Sequence, residues 1–481
     1  MRRAGLAMLS TAMKPRAVAW LLSVLITLPL ADSVFRIPIQ VSDSLEAIVI
    51  STEYPTTSRL LADSIRFSPT TFRPMRFLQT RWLLAAAMSA GLTYNAMFRG
   101  VHVLLLVLLV VLFVLAVRVR GQTDLVAFAV ALPILIGIHT FVAMLQEAFP
   151  VNHYAEVGVC VLAVLVLAQR PPRWFFAPLI CLLLALALSV IESGAMVWVM
   201  VICCAAAGLR GITRTTVATT TALLAGYFVL RHALDIASPG IGGHGSGFGA
   251  TFYSSEELAQ RFGAHPLGLI AYNVAGGLAS LLLSEPRQGV YSLAIAWRDG
   301  VVHPILAINL VSSLATTALL VWYGVRHVRG GRRSWSDRNR VFVAASGVMA
   351  VNAVLTAAYI KDEIISPGGL CYAVAAFIAC AALLETLPRR ALAASVAIAA
   401  LLTLDAALWT FRAAGVQYVL RYAAFKTRND WVEVLREDKR TDWPRDPREL
   451  AVTQRIRDEA IVRRVASPSF MPRWADRWWV E

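Results

Sequence analysis

Charged side chains are scarce in this sequence: Asp, Glu, Lys and Arg make up 16% of 481 residues, against 58% hydrophobic, and the mean hydropathy is +0.63. So low a charge content over this length excludes a soluble multidomain protein, which must clothe its surface in polar groups. Cysteine is equally sparse. All six, Cys160, Cys181, Cys203, Cys204, Cys371 and Cys380, lie inside apolar runs without a CxxC pair, so neither a disulfide framework nor a zinc site is expected. There is no internal repeat and no matched pair of interrupted apolar segments, which speaks against a secondary transporter. The glycine-rich stretch "SPGIGGHGSGFGATF" fits GxGxxG in letters only, since no strand precedes it, and reads as a flexible loop or lid. Acidic residues are fewer than basic ones, with a formal net charge of +15, but the basic residues cluster at the ends of apolar runs and in the tail. That distribution marks topology signals and lipid-headgroup contacts, not nucleic-acid binding.

What the sequence does contain is apolar runs, one after another. A bilayer core about 30 Å thick takes roughly 20 apolar residues per helix. Arg2, Arg3, Lys14 and Arg16 precede the run 17–31, which places the N-terminus in the cytoplasm and sends the first helix outward; the same run, ending "PLAD", also has the outline of a cleavable signal peptide. Residues 32 to about 100 form a long amphipathic first outer loop. Apolar runs follow at 102–117, 125–145, 151–168 and 174–209. The last is interrupted by "VIESGAM", too polar to lie in lipid, so it reads as a helical hairpin with Glu192 at its tip. Arg118, Arg120, Arg170, Arg173, Arg210 and Arg214 then mark cytoplasmic ends, and "FPVNHYAE" and "IESG" fall outside.

A helix over 215–230 leads into a second outer loop, about 233–300. The run 266–283 breaks the alternation: if it crossed, the basic "RHVRGGRRSWSDRNR" after the 301–323 helix would lie outside. It is therefore read as re-entrant or interface-lying, in keeping with Asn273, Gly276 and Gly277. Helices over 341–359, 370–385 and 391–411 place "IKDEIISPG" outside, "LPRR" inside and the tail outside. The expected fold is an all-α polytopic membrane protein with about eleven transmembrane helices, between roughly ten and thirteen. The membrane module would cover 1–411, and 412–481 would form a short charged tail lying on the membrane with Trp431, Trp443, Trp474, Trp478 and Trp479 as interfacial anchors.

Ionisable residues gather at the outer ends. Asp43 and Glu46 follow the first span three residues apart, sharing a face if helical; a local reading makes Ser42 an N-cap and both acids favoured neighbours of the helix dipole. Arg73 and His102 lie in the first loop and at the entry to the second span. Glu147, His153 and Glu156 occupy the next outer tip, Glu192 the hairpin tip, and Lys361, Asp362 and Glu363 a late outer loop.

The acidic motif after the first span, the Phe72-Arg73-Pro74 step opening an amphipathic segment, the histidine-bearing second span, the Pro-then-Glu tip of the third and the Glu-x-Gly tip at Glu192 resemble the GT-C superfamily of polytopic glycosyltransferases. The similarity is to the protein O-mannosyltransferase-like branch, including its tetratricopeptide-bearing members, and covers about the first 210 residues. It implies a GT-C-like fold in a bacterial inner membrane and inverting transfer of a sugar from a polyprenyl-phosphate-linked donor to a hydroxyl of a glycan, lipid or protein acceptor on the extracytoplasmic side. In that chemistry Asp43 would be the base, with Glu46 its acidic neighbour, and Arg73 and Lys361 would meet the phosphate. His102, His153, Glu156 and Glu192 would line the substrate site. No metal set is fixed, and a divalent cation at His153, Glu156 or Glu192 stays open, as does snorkelling of Lys361 to the interface. Other readings are a transporter or flippase of lipid-linked sugars, an O-antigen ligase or polymerase-like enzyme, and a non-catalytic scaffold using the Trp-rich tail.

Overall fold

A computed structural model describes residues 14–41, 43–67, 73–146, 153–234, 266–283, 304–328, 335–357, 361–387, 391–436, 447–463 and 465–471, with a few isolated positions between them. The glycine-rich stretch, Ser42, Phe72, Glu147, Trp443, Trp474, Trp478 and Trp479 lie outside the described residues. Among the described residues all regular structure is helical.

Five helices are long and apolar enough to cross a membrane: α1 (Pro15–Arg36), α5 (Tyr94–Val117), α13 (Pro304–His327), α15 (Asp362–Thr386) and most of α16 (Leu392–Arg436). A sixth forms if α6 (Gln122–Gly137) and α7 (His139–Gln146), bent 56° apart, count as one broken span. This is a membrane protein by that measure, with five or six clear spans where about eleven were expected. The difference lies in shorter apolar helices, α8 (His153–Ala168), α9 (Phe176–Val190), α10 (Ala195–Ala207) and α12 (Pro266–Leu283), and in the less apolar α11 (Arg214–Ala233) and α14 (Asp337–Leu355). At 1.5 Å per residue α8 is about 24 Å long, whereas α5 is about 36 Å.

The bundle is built around α15, buried along nearly its whole length. Its small residues let neighbours approach: a Cβ at Gly369 would overlap Thr140 Oγ1 of α7, and one at Gly368 would crowd Leu281 of α12 and Asn352 of α14. Against α15 lie α6, α14 and α13, and α16 runs beside α6 and α13. A polar seam joins α13 to α16. Thr316 donates to Asp405, Trp409 Nε1 to Thr316 Oγ1, and Arg412 Nη1 to the hydroxyls of Ser312 and Ser313, with its guanidinium 3.9 Å from the Trp409 ring. The spacing is seven residues on each helix, Asn309 to Thr316 and Asp405 to Arg412, so the antiparallel pair matches polar rung to polar rung.

The two ends of the bundle differ. At one, Arg118 donates to the Gln169 carbonyl, Gln169 to that of Ala116, Gly211 N to that of Ala168 and Arg340 to that of Gly208, while Arg338 bridges Asp124 and Glu385. Lys14, Arg16, Arg120 and Arg170 gather there too, and this is the basic face. Arg338 and Arg340, from the basic stretch after α13, thus join it as the alternation demanded. On its way from the other face, α12 has Asn273 bonded to the Ala357 carbonyl and its last turn beside Thr317, whose hydroxyl donates to the Leu282 carbonyl. Thr317 is thirteen residues into α13, roughly 20 Å from its start, so α12 ends partway along α13.

Above the opposite face sits a helical cap: α2 (Asp43–Glu53), α3 (Thr57–Phe67), α4 (Pro74–Ser89), the end of α16 and α17 (Pro447–Val462). The boundary expected at 411 falls inside α16, one helix of 45 residues. Nor is Trp431 an interfacial anchor: its ring is fully buried and its Nε1 donates to the Ile39 carbonyl at 2.7 Å. The α5 N-terminus is held from two sides. Thr93 caps Ala96 N, and the Glu459 carboxylate of α17 accepts from Tyr94 N and Asn95 N, both at 3.1 Å. Glu459→Ala should therefore cost roughly 1–2 kcal/mol, read as a lower unfolding temperature of the detergent-solubilised protein. Arg455→Ala, at a more exposed side chain, should cost less; equal stability of wild type and Glu459→Ala would show that α17 does not brace α5.

Candidate functional site

Two ion clusters sit beneath the cap. The first begins at the Arg-Pro step. Arg73 precedes Pro74 at the first position of α4, and its side chain reaches across to the α9–α10 turn. There Ile191 takes an extended conformation that ends α9, Glu192–Gly194 make one 3-10 turn, and α10 begins. A Cβ at Gly194 would overlap the Ala187 backbone, so the Glu-x-Gly tip needs its glycine for close approach.

Arg73 Nε and Nη2 donate to Glu192 Oε2 at 3.1 and 2.8 Å, and Arg231 Nη1, at the end of α11, donates to Oε1 at 3.3 Å. Arg231 also donates to the Tyr227 hydroxyl at 3.1 Å. Burial works against the Glu192 carboxylate, but the Arg73 charge and hydrogen bonds outweigh it and hold the group below its ordinary pKa. Two guanidiniums around one carboxylate leave the trio with a net positive charge.

The second cluster opens α8. His153 and Glu156, three residues apart on the first turn, pair at 3.2 Å, and Gln79 of α4 donates to the other Glu156 oxygen at 2.6 Å. Arg73 and Arg76 are close enough to act on His153 electrostatically, so α4 links both clusters. Gln79 Oε1 and Ser193 Oγ are buried with no hydrogen-bond partner among the described residues, as polar atoms facing a ligand would be. Lys361, preceding α15, lies against the same first turn of α8, 6.0 Å from the Tyr154 ring centroid and 3.6 Å from Glu363. Next to it, His139 at the α6–α7 break is 3.6 Å from Asp362 and 2.9 Å from Ser280.

Other expected site residues are placed differently. His102 is buried and its Nδ1 accepts from Arg99 Nη1 at 2.8 Å, so its ring braces the arginine that holds the Ile37 and Pro38 carbonyls. Glu46 is exposed on α2, whose Leu45 and Ile48 are buried. Asp43 opens α2, three residues beyond Gln40, whose side chain donates to the Gln146 carbonyl at the end of α7; the Asp43 side chain itself lies outside the described residues. Among the described residues no three His, Cys, Asp or Glu side chains converge as a metal site.

Arg231 and Gln79 were not foreseen. Arg231 carried a signal: with His232 it puts basic residues at the far end of a span that starts at the basic Arg214, against the charge bias. Gln79 carried none, being one polar residue in an amphipathic helix.

Comparison with protein-family models, curated protein sequences and solved structures finds no match to this chain.

Removing one partner of the first cluster leaves charges facing each other. Glu192→Gln should cost about 1–3 kcal/mol and lower the unfolding temperature, because Arg73 and Arg231 then repel without a counter-charge. Arg73→Gln combined with Glu192→Gln should cost less than the two single changes added, by roughly 1 kcal/mol. Strict additivity would mean the pair makes no energetic contact.

Proposed function

We propose that this protein is a GT-C-type membrane glycosyltransferase that moves a sugar from a polyprenyl-phosphate-linked donor to an acceptor hydroxyl. The capped face is extracytoplasmic and the N-terminus cytoplasmic, as in a bacterial inner membrane. Counting α8, α9, α10, α11 and α14 as crossing beside the six clear spans gives the eleven of the sequence reading, with α12 re-entrant. The observation that carries the proposal is the joining of Arg73, Glu192 and Arg231, from α4, the α9–α10 tip and α11, beside the His153–Glu156–Gln79 cluster.

The lengths of the short helices set the depth of this site. α8 and α5 meet at the basic face, yet α8 is eight residues shorter, so its opening turn sits roughly 12 Å lower than that of α5. With the basic face at one edge of a hydrocarbon core about 30 Å thick, that puts the turn just inside the opposite edge, under the layer where a polyprenyl phosphate presents its phosphate. Arg73 and Arg231 would bind the phosphate oxygens, their excess positive charge growing more favourable as negative charge builds on the leaving group. The acceptor oxygen attacks the anomeric carbon from the side opposite the phosphate, and the carbon–oxygen bond to phosphate breaks. Asp43, at the start of α2, takes the hydroxyl proton late, and polyprenyl phosphate departs. Glu192 positions both arginines, Glu156 with His153 orients the sugar hydroxyls, and Lys361 is a further cation at the rim. Glu46, exposed, is left with no assigned step.

Transfer of labelled sugar from polyprenyl-phosphate donors by the purified protein tests this. Asp43→Asn should reduce transfer by about 100-fold or more, the usual scale of a lost general base. Arg231→Gln should weaken donor use by at least about tenfold. Equal transfer by wild type and Asp43→Asn would remove the base assignment.

Translocation of lipid-linked sugars is the second reading, favoured by Asp405 and Arg412 buried inside a span and by the broken α6–α7 pair. It expects proteoliposomes to move the donor across the bilayer, Asp405→Asn to stop that movement, and no transfer chemistry in either.

A further inference from the structure

The basic face contains a cavity that neither reading uses. It is about 650 Å³ in volume, within the usual range of small-ligand sites, and is lined by Lys14, Pro15, Arg16, Leu115, Arg118, Val119, Arg120 and Arg170. Five of these side chains are cationic and none is acidic. A topology signal requires only that basic residues lie on one side of the membrane. It does not require that residues before α1, after α5 and after α8 converge on one concavity.

Three features show that this convergence is costly without an anion. Arg118 takes a left-handed backbone, φ 53°, the one non-glycine residue with positive φ among those described. Its Nη2 donates to the Gln169 carbonyl at 2.7 Å, which fixes the residue between α5 and α8. Burial, then the charges of Arg120 and Arg170, with Arg16 adding to them and Asp337 opposing, lower its hold on its proton. Asp124, also near, is occupied by Arg338 and by the main-chain N–H of Arg120. Lastly, α1 starts in this cavity with Pro15 at its first position, no side-chain cap and no acid in its first turn, so the positive end of its helix dipole faces the same space without a counter-charge.

We propose that this cavity binds a phosphate group, either the phosphodiester of an anionic phospholipid from the adjacent leaflet or a free phosphate or diphosphate. The guanidiniums of Arg118, Arg120 and Arg170 would bracket its oxygens, with Arg16 and Lys14 at the start of α1 closing the remaining side. The surroundings suit the lipid: Leu21, Leu25 and Leu28 on α1 are exposed, so acyl chains run beside the helix whose end opens the cavity.

Native mass spectrometry of the full-length, delipidated protein in detergent tests the proposal, with phosphatidylglycerol, phosphatidylcholine and inorganic pyrophosphate as separate probes. Wild type should retain one phosphatidylglycerol per chain and no phosphatidylcholine. Arg120→Gln with Arg170→Gln should reduce the adduct at least about tenfold, while Arg173→Gln, on the same face but outside the cavity, should leave it unchanged. The unfolding temperature of the double variant is the second measurement. Removing two like charges that face each other should leave it at or above that of wild type, which separates lost binding from lost folding. A pyrophosphate adduct that displaces the lipid would identify a free phosphate compound as the occupant; its absence beside a lipid adduct would identify the headgroup. Equal retention of both phospholipids, no adduct with either anionic probe, or full retention by the double variant would overturn the proposal. The outcome is independent of any transferase or transport activity at the opposite face.

Discussion

Three successive main-chain carbonyls, those of Ile37, Pro38 and Ile39, are the constraint on which the capped face depends. They follow the end of α1 in an extended stretch, buried, with no neighbouring strand to receive them. Left unpaired in an apolar setting, each would cost on the order of 1–3 kcal/mol. Arg99 of α5 satisfies the first two with its Nε and Nη2, and Trp431 of α16 satisfies the third with its indole N–H. Arg463 takes the Phe35 carbonyl just before them. Chain segments nearly four hundred residues apart thus fix one short linker, and the linker fixes where α2, and with it Asp43, begins. His102 belongs to this arrangement. By accepting from Arg99 it orients the guanidinium, which explains a buried histidine at the head of an apolar helix without assigning it to a substrate.

The cap also explains the charge pattern at the bundle's end. Helices α8, α9 and α10 are too short to reach the level of α5, and the space above them is closed by α4. Placing an arginine, a glutamine and the opening turn of α8 in that recess would be unfavourable singly. They are tolerated because each charge meets another: Arg73 with Glu192, His153 with Glu156, Lys361 with Glu363. Gln79 Oε1 and Ser193 Oγ break this pattern, being buried with no hydrogen-bond partner among the described residues.

How much of this was legible in the sequence follows from what each feature depends on. The interruption at Glu192 was readable because polar residues within an apolar run must leave the lipid, and the Arg-Pro step was readable because proline restricts the residue before it. That Arg73 and Glu192 touch, 119 positions apart, was not, since no local rule encodes a long-range ion pair. The last apolar helix, expected over 391–411, continues to Arg436 for a definite reason. Hydropathy falls at Arg412, which suggests an exit from the membrane, but Arg412 is buried, stacked on Trp409 and bonded to two serines of α13. A charge supplied with partners on a neighbouring helix no longer marks an interface. For the same reason the tail looked like surface helices: the amphipathic pattern was correct, but the apolar face of α17 meets α2 and α5, not lipid.

The polar seam and the recess bear on function in opposite directions. A carboxylate at the centre of a span is costly, and proteins that only need a scaffold avoid it. Asp405 accepts from Thr316 through one oxygen; its other oxygen and both amide atoms of Asn309, two turns along α13, are buried with no hydrogen-bond partner among the described residues. Packing alone would be served better by leucine and alanine at these rungs. The seam nevertheless differs from the recess in how its charges are linked. In the recess, opposite charges from separate helices touch; in the seam, Asp405 and Arg412 stand two turns apart, roughly 10 Å along the helix, and are linked through the Thr316 and Trp409 side chains between them. Helix α12, ending partway along α13 beside Thr317 and Tyr372, brings a chain end to the edge of the same seam, so the two features share one interior surface of the bundle.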